Sequence, residues 1–165
     1  MSSVYERELK RLLSGDPEVV FRLSRKAPGY GILLEKPFLV VRAAGSLGID
    51  ILAVRGGIVL PIEVKSTSTG VVRISRSAKV QEQYRQYLEL AARARIVPIY
   101  ALRLKGARGD PWRILRPSEA RIPRDMELFS EIPEIPTSRR GKPILRWDQG
   151  LELSAFLSSI LNLVD

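Results

Sequence analysis

The chain of 165 residues contains neither Cys nor His, so its chemistry must run on carboxylates, amines, guanidinium groups and hydroxyls. That absence removes thiol nucleophiles, imidazole acid–base work, Ser-His triads and His- or Cys-ligated metals, and leaves oxygen ligands for hard cations. The densest candidate lies between Asp50 and Lys65. Asp50 opens one apolar run (residues 51–54), Glu63-Val64-Lys65 closes another (58–65), and Arg55-Gly56-Gly57 between them reads as a hairpin turn. Pairing around Gly56-Gly57 sets Asp50 opposite Glu63. Strand alternation then puts Glu63 and Lys65 on one face and Ile62 and Val64 on the other. Two carboxylates that close repel, so one takes up a proton unless a cation joins them. A divalent metal resolves this, with Lys65 placed to orient a water or to stabilise charge developing on a phosphate. Taken alone, Glu63-Val64-Lys65 also fits a solvated strand face with a cross-strand ion pair, and Asp50 fits a turn residue after a Gly loop.

Charge names the partner class. Lys and Arg number 27 against 18 Asp and Glu, a formal +9 at pH 7, which favours nucleic acid first and an anionic membrane surface second. Ser66-Thr67-Ser68-Thr69-Gly70 follows Lys65 directly, with Arg73 and Arg76 beyond it. This gathers hydroxyls, backbone N–H groups and charge where phosphate would be gripped, and such binding weakens steeply with salt. A single Asn, Asn162, with no Cys and abundant Arg, Glu, Ile and Leu leans towards a heat-adapted source. The start shows no apolar run behind its charges, and no stretch approaches the roughly twenty apolar residues a bilayer span needs. The expectation is an intracellular, cytoplasmic protein with no membrane partner.

The elements that must position these residues are legible from periodicity. Residues 4–13 read as an amphipathic helix with Tyr5, Leu9, Leu12 and Leu13 on one stripe and Glu6 on its shoulder, stopped by Gly15-Asp16-Pro17. A short helix fits 18–26, and turn chemistry fits 27–31. Strand 38–42 precedes a Gly-Ser loop at 45–48 and the hairpin, whose second arm is expected at an edge or a bulge because Pro61 cannot donate to a ladder. A long helix spans 77–95, capped by Ser77, with Val80, Tyr84, Tyr87, Leu88 and Ala91 at helical spacing. Strands follow at 96–102 and 112–115. Five prolines from Pro117 to Pro143 punctuate residues 117–147, and a final helix (148–164), capped near Asp148, carries an apolar face of Leu153, Phe156, Leu157, Ile160, Leu161 and Val164. That face is broader than one small sheet must cover. The order predicts a single α/β domain over 1–165, with a central mixed β-sheet flanked by helices.

Asp50, twelve residues and then Glu63-Val64-Lys65 resemble the metal-binding motif of the restriction-endonuclease-like nucleases. Three further stretches resemble the archaeal Holliday junction resolvases of that superfamily. These are Glu6-Arg7-Glu8-Leu9-Lys10-Arg11-Leu12-Leu13, Val40-Val41-Arg42-Ala43-Ala44-Gly45-Ser46, and Gly150-Leu151-Glu152-Leu153. Residues 14–37 look like an insertion, and 117–147 look longer than usual for that family. The resemblance implies a restriction-endonuclease-like fold and a Mg²⁺-dependent endonuclease, with Mn²⁺ substituting. Its substrate would be four-way DNA junctions, cut by paired symmetric hydrolysis, and it would work as a homodimer with the final helix as the candidate interface. It implies Asp50 and Glu63 as metal ligands and Glu6 as an additional carboxylate from the first helix. Lys65 would touch the attacking water or the scissile phosphate, Ser46 the backbone near the cut, and Arg7 and Arg42 DNA phosphates. Gln83, four before Tyr87, matches a Gln-x-x-x-Tyr pattern beside the active site of some related nucleases, although core packing accounts for Tyr87 equally well. A nuclease for flaps, nicks or foreign duplex and a non-catalytic DNA-binding paralogue are the competing readings.

Overall fold

The structure is a computed structural model that describes residues 3–44 and 46–164; Gly45, part of the expected loop, lies outside them. Helix α1 (Ser3–Leu13) buries Leu9, Leu12 and Leu13 completely. It ends where Gly15 takes φ +78°, and a Cβ at that position would stand 2.7 Å from the Leu33 carbonyl oxygen, so only glycine fits. Asp16 then caps α2 (Pro17–Ser24): its Oδ1 accepts from the Glu18 and Val19 N–H groups at 3.0 and 3.5 Å. The expected turn at 27–31 is instead a 3-10 segment, Pro28–Leu34, that buries Tyr30 and Leu33. Pro28 presets its φ, and Gly29 lets it pass close to the last helix, since a Cβ there would meet the Ser154 carbonyl oxygen at 3.0 Å.

Six strands form the main sheet in the order β1-β2-β3-β5-β6-β8: β1 (Leu39–Arg42), β2 (Ile51–Arg55), β3 (Ile58–Thr67), β5 (Ile99–Leu104), β6 (Trp112–Leu115) and β8 (Leu151–Glu152). Only β3 and β5 run parallel, joined by the crossover that carries α3 (Ala78–Ala94). Strands β4 (Val71–Arg73) and β7 (Ile144–Arg146) form a separate ribbon. The single α/β domain with a mixed sheet is as anticipated. α1, α2, Pro28–Leu34 and the last helix, α4 (Leu153–Val164), share one apolar core with the Ile62/Val64 face of β3. A second, smaller core of Ile74, Tyr100, Leu102, Leu115, Ile135 and Leu145 lies on the opposite side.

Three expectations change. β3 is an interior strand, not an edge. Pro61 is tolerated because the ladder to β5 begins only at Ile62, so the proline precedes the stretch that is paired on both sides. The strand expected at 96–102 starts at Ile99: Arg95 closes α3 in a left-handed conformation (φ 61°), and Pro98 follows without a donor. The last helix starts at Leu153, not at 148, because Leu151–Glu152 pairs with Arg113 and Ile114 of β6. Its cap comes from far away. Asp110 Oδ2 accepts from the Ser154 N–H at 3.0 Å, while Oδ1 accepts from the Tyr30 hydroxyl (2.5 Å) and the Trp112 N–H (3.0 Å).

The apolar face of α4 is already covered within the chain. Leu153, Phe156, Leu157, Ile160 and Leu161 are all buried, with Pro28–Leu34 packed beside them; the Val164 side chain is outside the described residues. The surplus apolar face that suggested α4 as a dimer interface is therefore used by residues 28–34, inside the stretch expected to be an insertion. Asp110 is the fastener of this layer, so Asp110→Asn is expected to cost about 1–3 kcal/mol, as a buried acceptor is replaced by an amide facing N–H donors. Thermal melting followed by circular dichroism checks it; an unchanged midpoint would show that the cap is dispensable.

Candidate active site

The β2–β3 pairing delivers the expected juxtaposition. Ile51 pairs with Ile62, so Asp50, one residue before β2, lies across from Glu63, and the Asp50 N–H donates to the Ile62 carbonyl at 2.9 Å. Asp50 Oδ2 accepts from the Val64 N–H at 2.7 Å, which anchors the carboxylate at the open end of the hairpin. Glu63 is paired with Tyr100 and Lys65 with Leu102, so both side chains belong to the sheet face that carries the smaller core. Gly48, at the end of the 3-10 turn Ser46–Gly48, passes over this position; a Cβ on it would stand 3.8 Å from Glu63 Oε1.

Burial dominates the electrostatics of Asp50. Burial pushes the Asp50 carboxyl above its usual range, the Val64 N–H bond works against this, and the negative charge of Glu6 pushes it further. Lys65 and Arg42 oppose the rise without cancelling it. Glu63 Oε2 is buried and accepts no hydrogen bond; its nearest cation is the Arg76 guanidinium at 3.8 Å. Glu6 is turned to Arg42, whose Nη2 stands 2.9 Å from its Oε2.

Arg76 occupies an inner corner of the site. Its guanidinium stacks on the Tyr84 ring at 3.9 Å from the centroid and donates to the Tyr100 hydroxyl, and that hydroxyl also lies against Glu63. Burial pushes the Tyr84 phenol up to about 12 and the Tyr100 phenol higher, so both are neutral at physiological pH. Tyr84 and Tyr100 were not among the expected site residues. Tyr100 carried one weak signal, a phenol inside an otherwise aliphatic strand, whose hydroxyl needs a partner when buried.

The remaining expected residues separate. Arg7 and Arg73 are exposed on α1 and β4, in positions open to solvent. Thr67 is buried, and its Oγ1 accepts from the Thr69 and Gly70 N–H groups at 3.1 Å each, so it closes the turn after β3 rather than facing a ligand. Ser66 is half-buried beside it. Gln83 is exposed and its side chain makes no hydrogen bond among the described residues, while Tyr87 is buried in packing. The Ser46 side chain lies outside the described residues.

A hard divalent cation fits the donors that do converge. All are oxygens, one of them, Glu63 Oε2, is buried without a hydrogen bond, and burial holds Asp50 above its usual range. Among the described residues no three Asp or Glu side chains draw together into a ready-made metal cage. Asp50 and Glu63 are thus the pair, with Glu6 at its margin.

A mixed sheet presenting a carboxylate pair and a lysine describes a class, α/β domains whose oxygen donors suit a hard cation. Comparison with known proteins narrows it. Residues 30–131, more than half of the chain, match the family model of the archaeal Holliday junction resolvase (Hjc), and the chain belongs to that family, a family of nucleases. The matched span contains Asp50, Glu63 and Lys65; it begins after α1, so Glu6 is outside it, and it stops short of residues 132–165. No curated protein matches the chain. Among solved structures, 17 chains match. One is Archaeoglobus fulgidus Hjc, a Holliday junction resolvase from an archaeal hyperthermophile, at 20% identity with a TM-score of 0.48 over 79% of this chain and 96% of that one. Among the described residues no helix is long and apolar enough to cross a membrane.

Proposed function

We propose that the protein is a structure-specific, Mg²⁺-dependent DNA endonuclease that resolves four-way junctions by paired, symmetric phosphodiester hydrolysis. The observation that carries this reading is the Asp50–Glu63 pair across β2 and β3, with Lys65 on the face of Glu63, inside the span that matches the resolvase family. Asp50 and Glu63 would hold the metal, which would supply Lewis-acid activation of a water and charge neutralisation at the phosphate. The protein's own groups do the positioning. The Val64 N–H fixes the Asp50 carboxylate, Arg76 and Tyr100 fix Glu63, and Lys65 offers a mobile ammonium to the water or the scissile phosphate. The surplus of positive charge draws the DNA in, with Arg7, Arg42 and Arg73 on its path. Two symmetric cuts need two active sites, so the working form is a two-fold homodimer. Its interface lies elsewhere than the covered face of α4. Such an enzyme acts in the cytoplasm, on the nucleoid.

The test is cleavage of a labelled four-way junction, a flap and a linear duplex, each with Mg²⁺, with Mn²⁺ and with EDTA. Paired nicks at symmetric positions near the branch point, abolished by EDTA, are the expected result. Cutting of flap or linear DNA alone would reassign the substrate. Tight binding without any cut, unchanged by Asp50→Asn, would make the chain a non-catalytic DNA-binding protein.

A further inference from the structure

A groove of about 800 Å³ runs away from the candidate active site between α3 and residues 117–143. Arg76 and Tyr100, the two side chains set against Glu63, belong to its lining, so they stand between the groove and the buried Glu63 carboxylate. Its rim carries Arg93 from α3 and Arg121 and Lys142 from the opposite wall, none of which forms an ion pair among the described residues. Arg85, also on the rim, is already held by Glu82 and Glu89. Glu119 is the one other carboxylate of the lining, so the groove keeps a net positive field. The floor is apolar, with Ile74, Leu88 and Ile135 beside the Tyr84 ring.

A cationic rim over an apolar and aromatic floor matches the chemistry of an unpaired nucleic-acid strand, with phosphates on the rim and bases against the floor. A duplex arm calls for a broad, open surface, whereas this groove is bounded by α3 on one side and by residues 117–143 on the other. We infer that the groove receives a short unpaired DNA strand at the branch point. This deepens the endonuclease reading and rests on it. One wall belongs partly to residues 135–143, beyond the span that matches the family.

The experiment is fluorescence anisotropy of the full chain with a labelled eight-nucleotide thymidine oligomer in EDTA, across a salt series. The expected result is binding that weakens with salt, by about 0.7 log units per log unit of salt for each phosphate held. Arg121→Ala/Lys142→Ala is expected to lose at least tenfold in affinity and to flatten the salt slope, with an unchanged far-ultraviolet spectrum. Arg25→Ala/Arg108→Ala, exposed residues away from the groove, removes the same charge as a control. An equal loss in the control pair would show that net charge alone binds the oligomer and would overturn the inference. So would failure of the wild type to bind, or displacement of the oligomer by a glutamate peptide of equal charge. Junction cutting is scored separately. A chain that cuts junctions but fails here loses the groove and keeps its function; a chain that binds the oligomer through the groove but cuts nothing loses the endonuclease reading.

Discussion

Asp50→Asn is expected to abolish junction cutting, by about a thousandfold or more, the scale on which losing one transition-state charge partner acts. In EDTA its affinity for a junction is expected to equal or exceed that of the wild type, because a negative charge facing phosphate has been removed. Its stability should move the other way from its activity. The Asp50 carboxyl is raised by burial and by the charge of Glu6. A folded value above the unfolded one means that the native state loses stability as pH rises through that raised value. Asparagine carries no such charge and can still accept the Val64 N–H through its amide oxygen. The midpoint of thermal unfolding in EDTA at neutral pH is therefore expected to rise in Asp50→Asn. Mn²⁺ at a hundredfold excess over its dissociation constant should stabilise the wild type by about 2.7 kcal/mol and the variant far less. Equal stabilisation of both by Mn²⁺ would place the metal elsewhere.

The geometry behind that prediction was open to sequence reasoning because it is local. A tight turn at Gly56-Gly57 fixes the register of its own hairpin, and strand alternation then assigns Glu63 and Lys65 to one face. α1 and the Ser77-capped α3 were legible for the same reason, each being a periodic segment with its own stop or cap. What periodicity could not supply was anything set by a partner far along the chain. Tyr100 meets Glu63 only because β5 returns parallel to β3 after the α3 crossover, and no spacing in the sequence encodes that register. The start of α4 moved because its cap is Asp110, and its apolar face was covered by Pro28–Leu34, a stretch that reads as a turn from its Pro and Gly alone. Arg76 and Thr67 were expected to grip phosphate. Their types allowed it, but the direction of one guanidinium and one hydroxyl was decided by Tyr84, Tyr100 and the turn at Thr69-Gly70.

The largest stability effect is expected at Glu8, on the buried side of α1. Its carboxylate is almost fully enclosed and accepts from Arg103 Nε at 2.8 Å, from the Trp112 indole N–H at 2.9 Å and from Arg22 at 3.1 Å. One side chain thus ties α1 to α2, β5 and β6. Burial alone would raise the Glu8 carboxyl, yet the hydrogen bond and charge of Arg103, with Arg22 and Trp112, hold it below the usual glutamate range. Replacing both members of such a pair with apolar groups is often harmless, whereas removing one strands the other. In Glu8→Gln the Arg103 guanidinium, about as deeply buried as Glu8 itself, keeps its charge and loses its counter-ion. The expected loss is about 3–5 kcal/mol, a fall in melting midpoint of roughly 10 °C for a chain of this length. Glu8→Gln/Arg103→Met should recover much of it, and that recovery separates the stranded charge from simple loss of packing. A depressed folded value also means that the wild type holds this stability above the unfolded value and loses it as pH falls through the folded one. Acid titration of the melting midpoint should accordingly be shallower in Glu8→Gln than in the wild type. A cost below about 1 kcal/mol at pH 7 would put Glu8 among ordinary surface ion pairs and leave the apolar core alone holding α1, and Glu6 with it, against the sheet.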